Sequence, residues 1–362
     1  MHKFTFPLLA FLFCAGLGCR NFDDPPAQYH YSPPQDDEHE FDVSSLTAEG
    51  VDETKIELLT DRIVREEFPR TDGLLILRNN KLIYEHYFHG YSKDTPDNLF
   101  SSAKSITSLL AGIAIDQGFI ESVDLPVTEL LPEYKSFQNP DARKAQITLS
   151  DLLNMSSGLS CEDWYDHTEA QMMKSHDWIK FTLDLPMAND PGTTGSYCTG
   201  NAVTLGRIIE NQSKLSLQEF SSRYLFQPLG VRQYQWHIMP DGKASAGGLS
   251  FMRPRDMAKI GLLMLNHGMF QGKQIVSPEW VDQCILNQIA VGNTFDGYGY
   301  LWWKQAFQPG IESYFSSGNG GQDIFIIPSK NLVLVFTGAN QNTPKGLQNF
   351  QIIQEHILPA IL

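Results

Sequence analysis

The chain has 362 residues, 42% of them hydrophobic, with 27 Lys and Arg against 42 Asp and Glu and a formal net charge of −15. That length and apolar content can bury a large core in one or two domains and exclude a disordered chain. The acidity, with no clustered run of Lys and Arg, excludes a nucleic-acid binder, because phosphate contacts need concentrated cations.

The first element, residues 1–19, reads as an export signal. Lys3 supplies a positive start, and Phe4 to Leu17 form an apolar stretch too short to span a bilayer comfortably. It ends in Gly16-Leu17-Gly18-Cys19, and a small residue before cysteine resembles a bacterial lipoprotein signal, although Gly16 stands where such signals usually carry leucine. Cys19 is thus a candidate lipidation site, with plain secretion as the alternative, and the expected location is the periplasm or cell surface. Residues 20–50 are acidic and proline-bearing, as in Asp23-Asp24-Pro25-Pro26 and Asp36-Asp37-Glu38-His39-Glu40. That composition predicts a solvated tether ahead of a globular domain over 51–362. The cysteines fit export: beyond Cys14 and Cys19 only Cys161, Cys198 and Cys284 remain, enough for one disulfide and one thiol.

Ile56, Leu59, Ile63 and Val64 recur at helical spacing and predict a helix over 53–67. Gly73 to Arg78 and Lys81 to Phe88, apolar runs separated by Asn79-Asn80, predict a hairpin. A second hairpin is predicted from Asp323–Ile327 and Leu332–Phe336 around Pro328-Ser329-Lys330-Asn331, followed by a helix from Gln348 to Leu358. Between the hairpins the pattern is mainly helical. The ends must then meet in one sheet, with a helical lobe, about 105–280, inserted between them.

Three stretches carry candidate chemistry. Ser101-Ser102-Ala103-Lys104 is the only S-x-x-K in the chain and falls at a helix start after the first hairpin. Three-residue spacing puts Lys104 on the same helical face as Ser101, where it can accept or relay the hydroxyl proton; a capping serine and a solvated lysine would look the same. Tyr197, in Gly195-Ser196-Tyr197-Cys198-Thr199-Gly200-Asn201, is a loop phenol before a helix, either a core residue or a partner in proton transfer. Ser316-Ser317-Gly318-Asn319-Gly320-Gly321-Gln322 leads into the second hairpin. Its glycines make a flexible turn or let a substrate approach N–H groups able to hold an oxyanion. There is no G-x-S-x-G, H-E-x-x-H, Walker loop or G-x-G-x-x-G after a strand, and His86 and His89 read as surface residues, so no metal or cofactor is expected.

Taken together and in this order, the three stretches resemble the penicillin-recognising serine hydrolases: class C β-lactamases, D-alanyl-D-alanine carboxypeptidases and related esterases. Residues 148–159, 246–257 and 298–303 look like further segments of that family, and the resemblance covers most of 55–360. It implies an α+β, β-lactamase/transpeptidase-like fold, an antiparallel sheet flanked by helices with the helical lobe inserted. It further implies Ser101 as the acylated nucleophile, Lys104 as its proton partner, Tyr197 as base and later acid, and the N–H groups of Ser101 and Gln322 as oxyanion hole. Thr199, Asn319, Gly320 and Gly321 fall at substrate-binding positions, and a Cys161–Cys198 disulfide would close around the cleft. Two departures stand out. Thr199 replaces the usual asparagine, though its hydroxyl can still reach Lys104, and Asn319 replaces the usual lysine or histidine where a substrate carboxylate would dock, unless Arg253 or Arg255 supplies the cation. The expected activity is hydrolysis of an ester or amide in a small-molecule or peptide-like substrate, by a monomer that meets a membrane only through its anchor. The alternatives are a D,D-peptidase or β-lactamase, and a catalytically silent surface binding protein of the same fold.

Overall fold

The two predicted hairpins meet. In the computed structural model, which describes residues 28–286 and 289–362, strands β1 (Asp42–Val43), β2 (Thr71–Arg78), β3 (Lys81–Tyr87), β4 (Gly297–Gly299), β5 (Trp302–Gln308), β6 (Ile311–Gly318), β7 (Gln322–Ile327) and β8 (Leu332–Gly338) form one sheet. Its order is β1-β3-β2-β8-β7-β6-β5-β4. The join between the chain's two ends is the β2–β8 ladder, in which Leu75 faces Val335 and Leu77 faces Val333. The expected antiparallel pairing holds except at one edge, where β1 runs parallel to β3 and makes the sheet mixed.

Both faces of the sheet are covered, which is why its central strands read as continuous apolar runs rather than alternating ones. Helix α1 (Glu53–Val64), capped by Asp52, and the C-terminal helical run from Gln348 pack together, tied by Lys55 Nζ to Pro359 O at 2.8 Å. From that run Phe350 reaches Phe315 and Phe325 on one face of the sheet. Helix α4 (Pro254–Leu265) covers the opposite face, where Gly261 lies against Val333 and Ile324. The chain leaves the sheet at Tyr87 and returns at Gly297; between them lie helices α2 (Ala103–Asp116) and α3 (Thr199–Ser213) and shorter helical segments. Helix α4 belongs to the sheet layer although it falls inside the range predicted for the lobe. No helix among the described residues is long and apolar enough to cross a membrane.

The largest departure from expectation is at the N-terminus. Cys19 and residues 1–27 lie outside the described residues, but 28–50 are not a solvated tether. Tyr29 N donates to Asp61 and the Tyr31 hydroxyl to Ile83 O, and the acidic residues converge on cations of α4 and of its N-cap, Arg253. Asp36 and Glu85 hold Arg255 at 3.0 and 2.7 Å, and Glu40 holds Arg253 and Lys259 at 2.8 and 2.9 Å. Glu40, Arg253, Arg255, Asp256 and Lys259 are all buried. The acidic composition serves a buried ion network, and the partners lie some two hundred residues away in sequence.

Candidate active site

Helix α2 runs through the middle of the molecule and is buried over nearly its whole length, Lys104 included. Ser101 sits in the 3-10 turn Phe100–Ser102 that opens it. Two constraints fix that turn. Leu99 N donates to Ser250 O at 2.7 Å, continuing a small sheet in which Asn98 pairs with Phe251. Phe100 then takes a left-handed backbone, φ 44°, an uncommon conformation for an aromatic residue, with its N–H donating to Asn98 Oδ1 at 3.0 Å. The half-buried Ser101 is therefore presented from a strained turn on a rigid helix.

Lys104, one helical turn on, donates to Ser101 Oγ at 2.9 Å and to Gly247 O at 2.7 Å. Its Nζ also lies 5.1 Å from the centre of the Tyr197 ring. The structure thus brings Ser101, Lys104 and Tyr197 together. It does not make the expected bond from Thr199: that hydroxyl is buried without a partner, and the Gly247 carbonyl takes its place at the lysine. Thr107, a further turn along the same face, donates to Ala246 O at 2.8 Å, so α2 grips the Ala246-Gly247 backbone at two successive turns. Gly247 and Thr107 are the parts of the site that sequence reasoning missed; the 101, 104, 107 spacing was the available signal.

Tyr197 is held from both sides along the chain. The next residue, Cys198, is disulfide-bonded to Cys161, as the resemblance implied. Asp163 N donates to Tyr197 O at 2.9 Å, while the Asp163 carboxylate accepts from Thr199 N, at the start of α3, at 2.6 Å. The Tyr197 ring lies nearly parallel to Trp164 and Trp303, 4.9 and 5.7 Å between centres, and meets Tyr298 edge-on at 6.2 Å. Burial pushes the Tyr298 phenol well above its ordinary range, so it serves as a neutral wall. Cys284 stays a buried thiol, its pKa pushed up to about 12 by burial.

The third stretch sits differently from expectation. The strand end that abuts the Ser101 turn is Ser316–Gly318: the hydroxyls of Ser102 and Ser316 share a 2.6 Å hydrogen bond, and Gly318 comes so close to Leu99 O that a Cβ there would lie 2.2 Å from it. Only glycine fits. Asn319, Gly320 and Gly321 form the turn beyond the strand. The exposed Asn319 amide is bonded on both sides to Asn342, at 2.8 Å each. Gln322 is fully buried, faces Gly318 in the β6–β7 ladder and donates its side-chain amide to Gly338 O. It is a residue of the β6–β7 ladder, four positions past the strand end that abuts the Ser101 turn. Arg253 and Arg255, locked in the ion network, supply no cation to the cleft.

This geometry has counterparts. The Beta-lactamase family model matches residues 64–356. The chain belongs to that family. It is 27% identical over 300 residues to a 6-aminohexanoate-dimer hydrolase of Paenarthrobacter ureafaciens, covering 76% of this chain and 74% of that one. Among solved structures, a putative 6-aminohexanoate-dimer hydrolase from Bacillus anthracis superposes with a TM-score of 0.69 at 22% identity, over 81% and 79% of the two chains. A penicillin-binding protein from Bacillus halodurans gives 0.65 at 17% identity, over 81% and 99%. The Beta-lactamase-family protein described here is a serine hydrolase of the β-lactamase/transpeptidase-like fold.

Proposed function

We propose that this hydrolase cleaves uncharged esters or amides through an acyl-enzyme on Ser101. The observation that carries the proposal is Lys104, buried, in hydrogen-bond contact with Ser101 Oγ and lying over the Tyr197 ring. Ser101 Oγ adds to the substrate carbonyl carbon as its one proton is relayed through Lys104 to the Tyr197 oxygen. The oxyanion is held by the N–H of Ser101 and that of Asn319, the first residue beyond the strand end that packs on Leu99. Tyr197 gives that proton to the departing alcohol or amine, then takes one from the water that adds to the acyl carbon, and the proton returns through Lys104 to Ser101 Oγ as the acid leaves.

Neutral substrates are favoured because the strand end at the Ser101 turn, Ser316–Gly318, carries no charged hydrogen-bond donor and Arg253 and Arg255 are held in the ion network; a neutral contact is worth about 0.5–1.5 kcal/mol against roughly 1.5–3 for a charged one. That is about tenfold in affinity for a substrate carboxylate. Export and lipid attachment through Cys19 belong to the same proposal and draw support from the disulfide, a bond of oxidising compartments; incorporation of labelled palmitate that disappears in Cys19→Ala tests them. For the reaction, a fluorophosphonate should label the wild-type chain on Ser101. In parallel assays, short-chain aryl esters should be turned over with higher kcat/KM than a chromogenic cephalosporin or D-Ala-D-Ala peptides. A cephalosporin hydrolysed faster than every uncharged ester would overturn the substrate class, and a Ser101→Ala enzyme with wild-type turnover would overturn the nucleophile.

A further inference from the structure

Trp164 is an exposed aromatic in an unusual position. Its indole lies flat on Tyr197, with ring planes 10° apart, yet 39% of the residue is open to solvent while Tyr197 and Trp303 are buried. The loop that carries it is fastened throughout: Cys161 by the disulfide, Asp163 by its bonds to Tyr197 and Thr199, and Tyr165 N by Glu162 at 2.7 Å. On its edge the indole meets Gly292, where a Cβ would lie 2.7 Å from Cζ3. A large apolar ring left partly uncovered in a rigid loop has already lost its conformational entropy, which makes it a preformed contact surface. It adjoins Tyr197, the group proposed to protonate the leaving group, at 4.9 Å between ring centres, closer than the 6.0 Å that separates it from Trp303 on β5.

The geometry points to Trp164 as a specificity-determining residue that stacks a planar aromatic ring in the alcohol or amine portion of the substrate. The inference rests on the acyl-enzyme reading above and names its leaving-group preference. Ring stacking adds to what apolar burial alone supplies, so the discriminating comparison is between a flat ring and a saturated one of similar size on chemically similar leaving groups. The experiment measures kcat/KM of the full chain on benzyl acetate and cyclohexylmethyl acetate. Benzyl acetate should be preferred by about three- to tenfold, mainly through KM. Trp164→Ala should bring the ratio close to one, and Trp164→Phe should keep most of it.

Because the readout is a ratio within each enzyme, a general loss of activity does not mimic the result, and Trp164→Leu supplies the same comparison if the alanine variant misfolds. Absence of a benzyl preference in the wild type, or a preference unchanged in Trp164→Ala, overturns the proposal. A Trp164-dependent preference seen only between ethyl benzoate and ethyl cyclohexanecarboxylate also overturns it, by placing the ring on the acyl side. The two readings fail separately: turnover by Ser101→Ala sinks the acyl-enzyme, whereas a ratio indifferent to Trp164 in an enzyme labelled on Ser101 sinks only the stacking site.

Discussion

At the residue scale the proposed reaction makes Ser101, Lys104 and Tyr197 a set of groups that share protons, and such groups fail together. Lys104 touches Ser101 and lies over Tyr197. Ser101→Ala, Lys104→Ala or Tyr197→Phe should therefore each remove most of kcat, and the Ser101→Ala/Lys104→Ala double variant should lose little more than either single one. Independent, multiplicative losses in that double variant would show that the groups do not act as a unit. A second residue-scale prediction concerns Asp323, fully buried opposite Ser317 in the ladder that ends at the site. Burial raises its pKa from 3.8 to about 7 against the pull of the hydrogen bond from Asn349 at 2.7 Å. The folded state thus holds the proton more tightly than the unfolded one. The resulting stability is complete below about pH 4 and is lost as pH rises through 7. Asp323→Asn should flatten the dependence of Tm on pH across that window; an unchanged slope would mean that the carboxyl does not titrate there.

At the element scale, what was legible in the sequence was what local pattern dictates. The two hairpins were plain because strands covered on both faces read as unbroken apolar runs around short turns, and the start of α2 was plain from its spacing. Ser101, Lys104 and Tyr197, which the structure brings together, each lie in a short motif next to a strand or helix. Register was not legible. In Ser316–Gln322 three glycines offered several places to end the strand, and only the approach of Gly318 to Leu99 O decides that Asn319 to Gly321 form the turn and that Gln322 is a sheet residue. Nor could spacing show that a backbone carbonyl, Gly247 O, would replace Thr199 at Lys104. The disulfide stands between the two cases, implied by family resemblance and present in the structure. It closes a separation of 37 residues beside Tyr197, for which a stabilisation of about 3–4 kcal/mol is expected. Cys161→Ser/Cys198→Ser should lower the urea midpoint accordingly and reduce kcat, since the loop holding Tyr197 loses one of its anchors. A double variant with wild-type stability and kcat would show that the hydrogen bonds of Asp163 suffice.

At the scale of the whole molecule, the acidic N-terminal stretch changes from tether to structural part, and that misreading has a physical cause. Composition reports how a segment behaves with water as its partner; it carries no information about cations brought in from a distant helix. Arg255 and Lys259 on α4 and Arg253 at its N-cap are buried, and a buried cation stripped of its carboxylates costs far more than an exposed ion pair gains. The segment 28–50 therefore belongs to the folding unit. A chain starting at residue 51 should be much less stable than one starting at 28, whether or not Ser101 and its neighbours are intact. Glu40 is the sharpest single test, because it meets Arg253 and Lys259 together. Burial alone would raise its pKa, but the hydrogen bonds from Lys259 and Arg253 prevail and hold it at about 2. A depressed carboxyl pKa contributes stability that is present above its unfolded value of about 4.5 and is lost as pH falls through 2. Glu40→Gln should thus cost about 3–5 kcal/mol in urea unfolding at pH 7, and the difference from wild type should shrink as the pH drops below 4.5. Equal urea midpoints for the two proteins at pH 7 would show that the network tolerates the loss of its central carboxylate, and the segment would then be a dispensable cover rather than part of the fold.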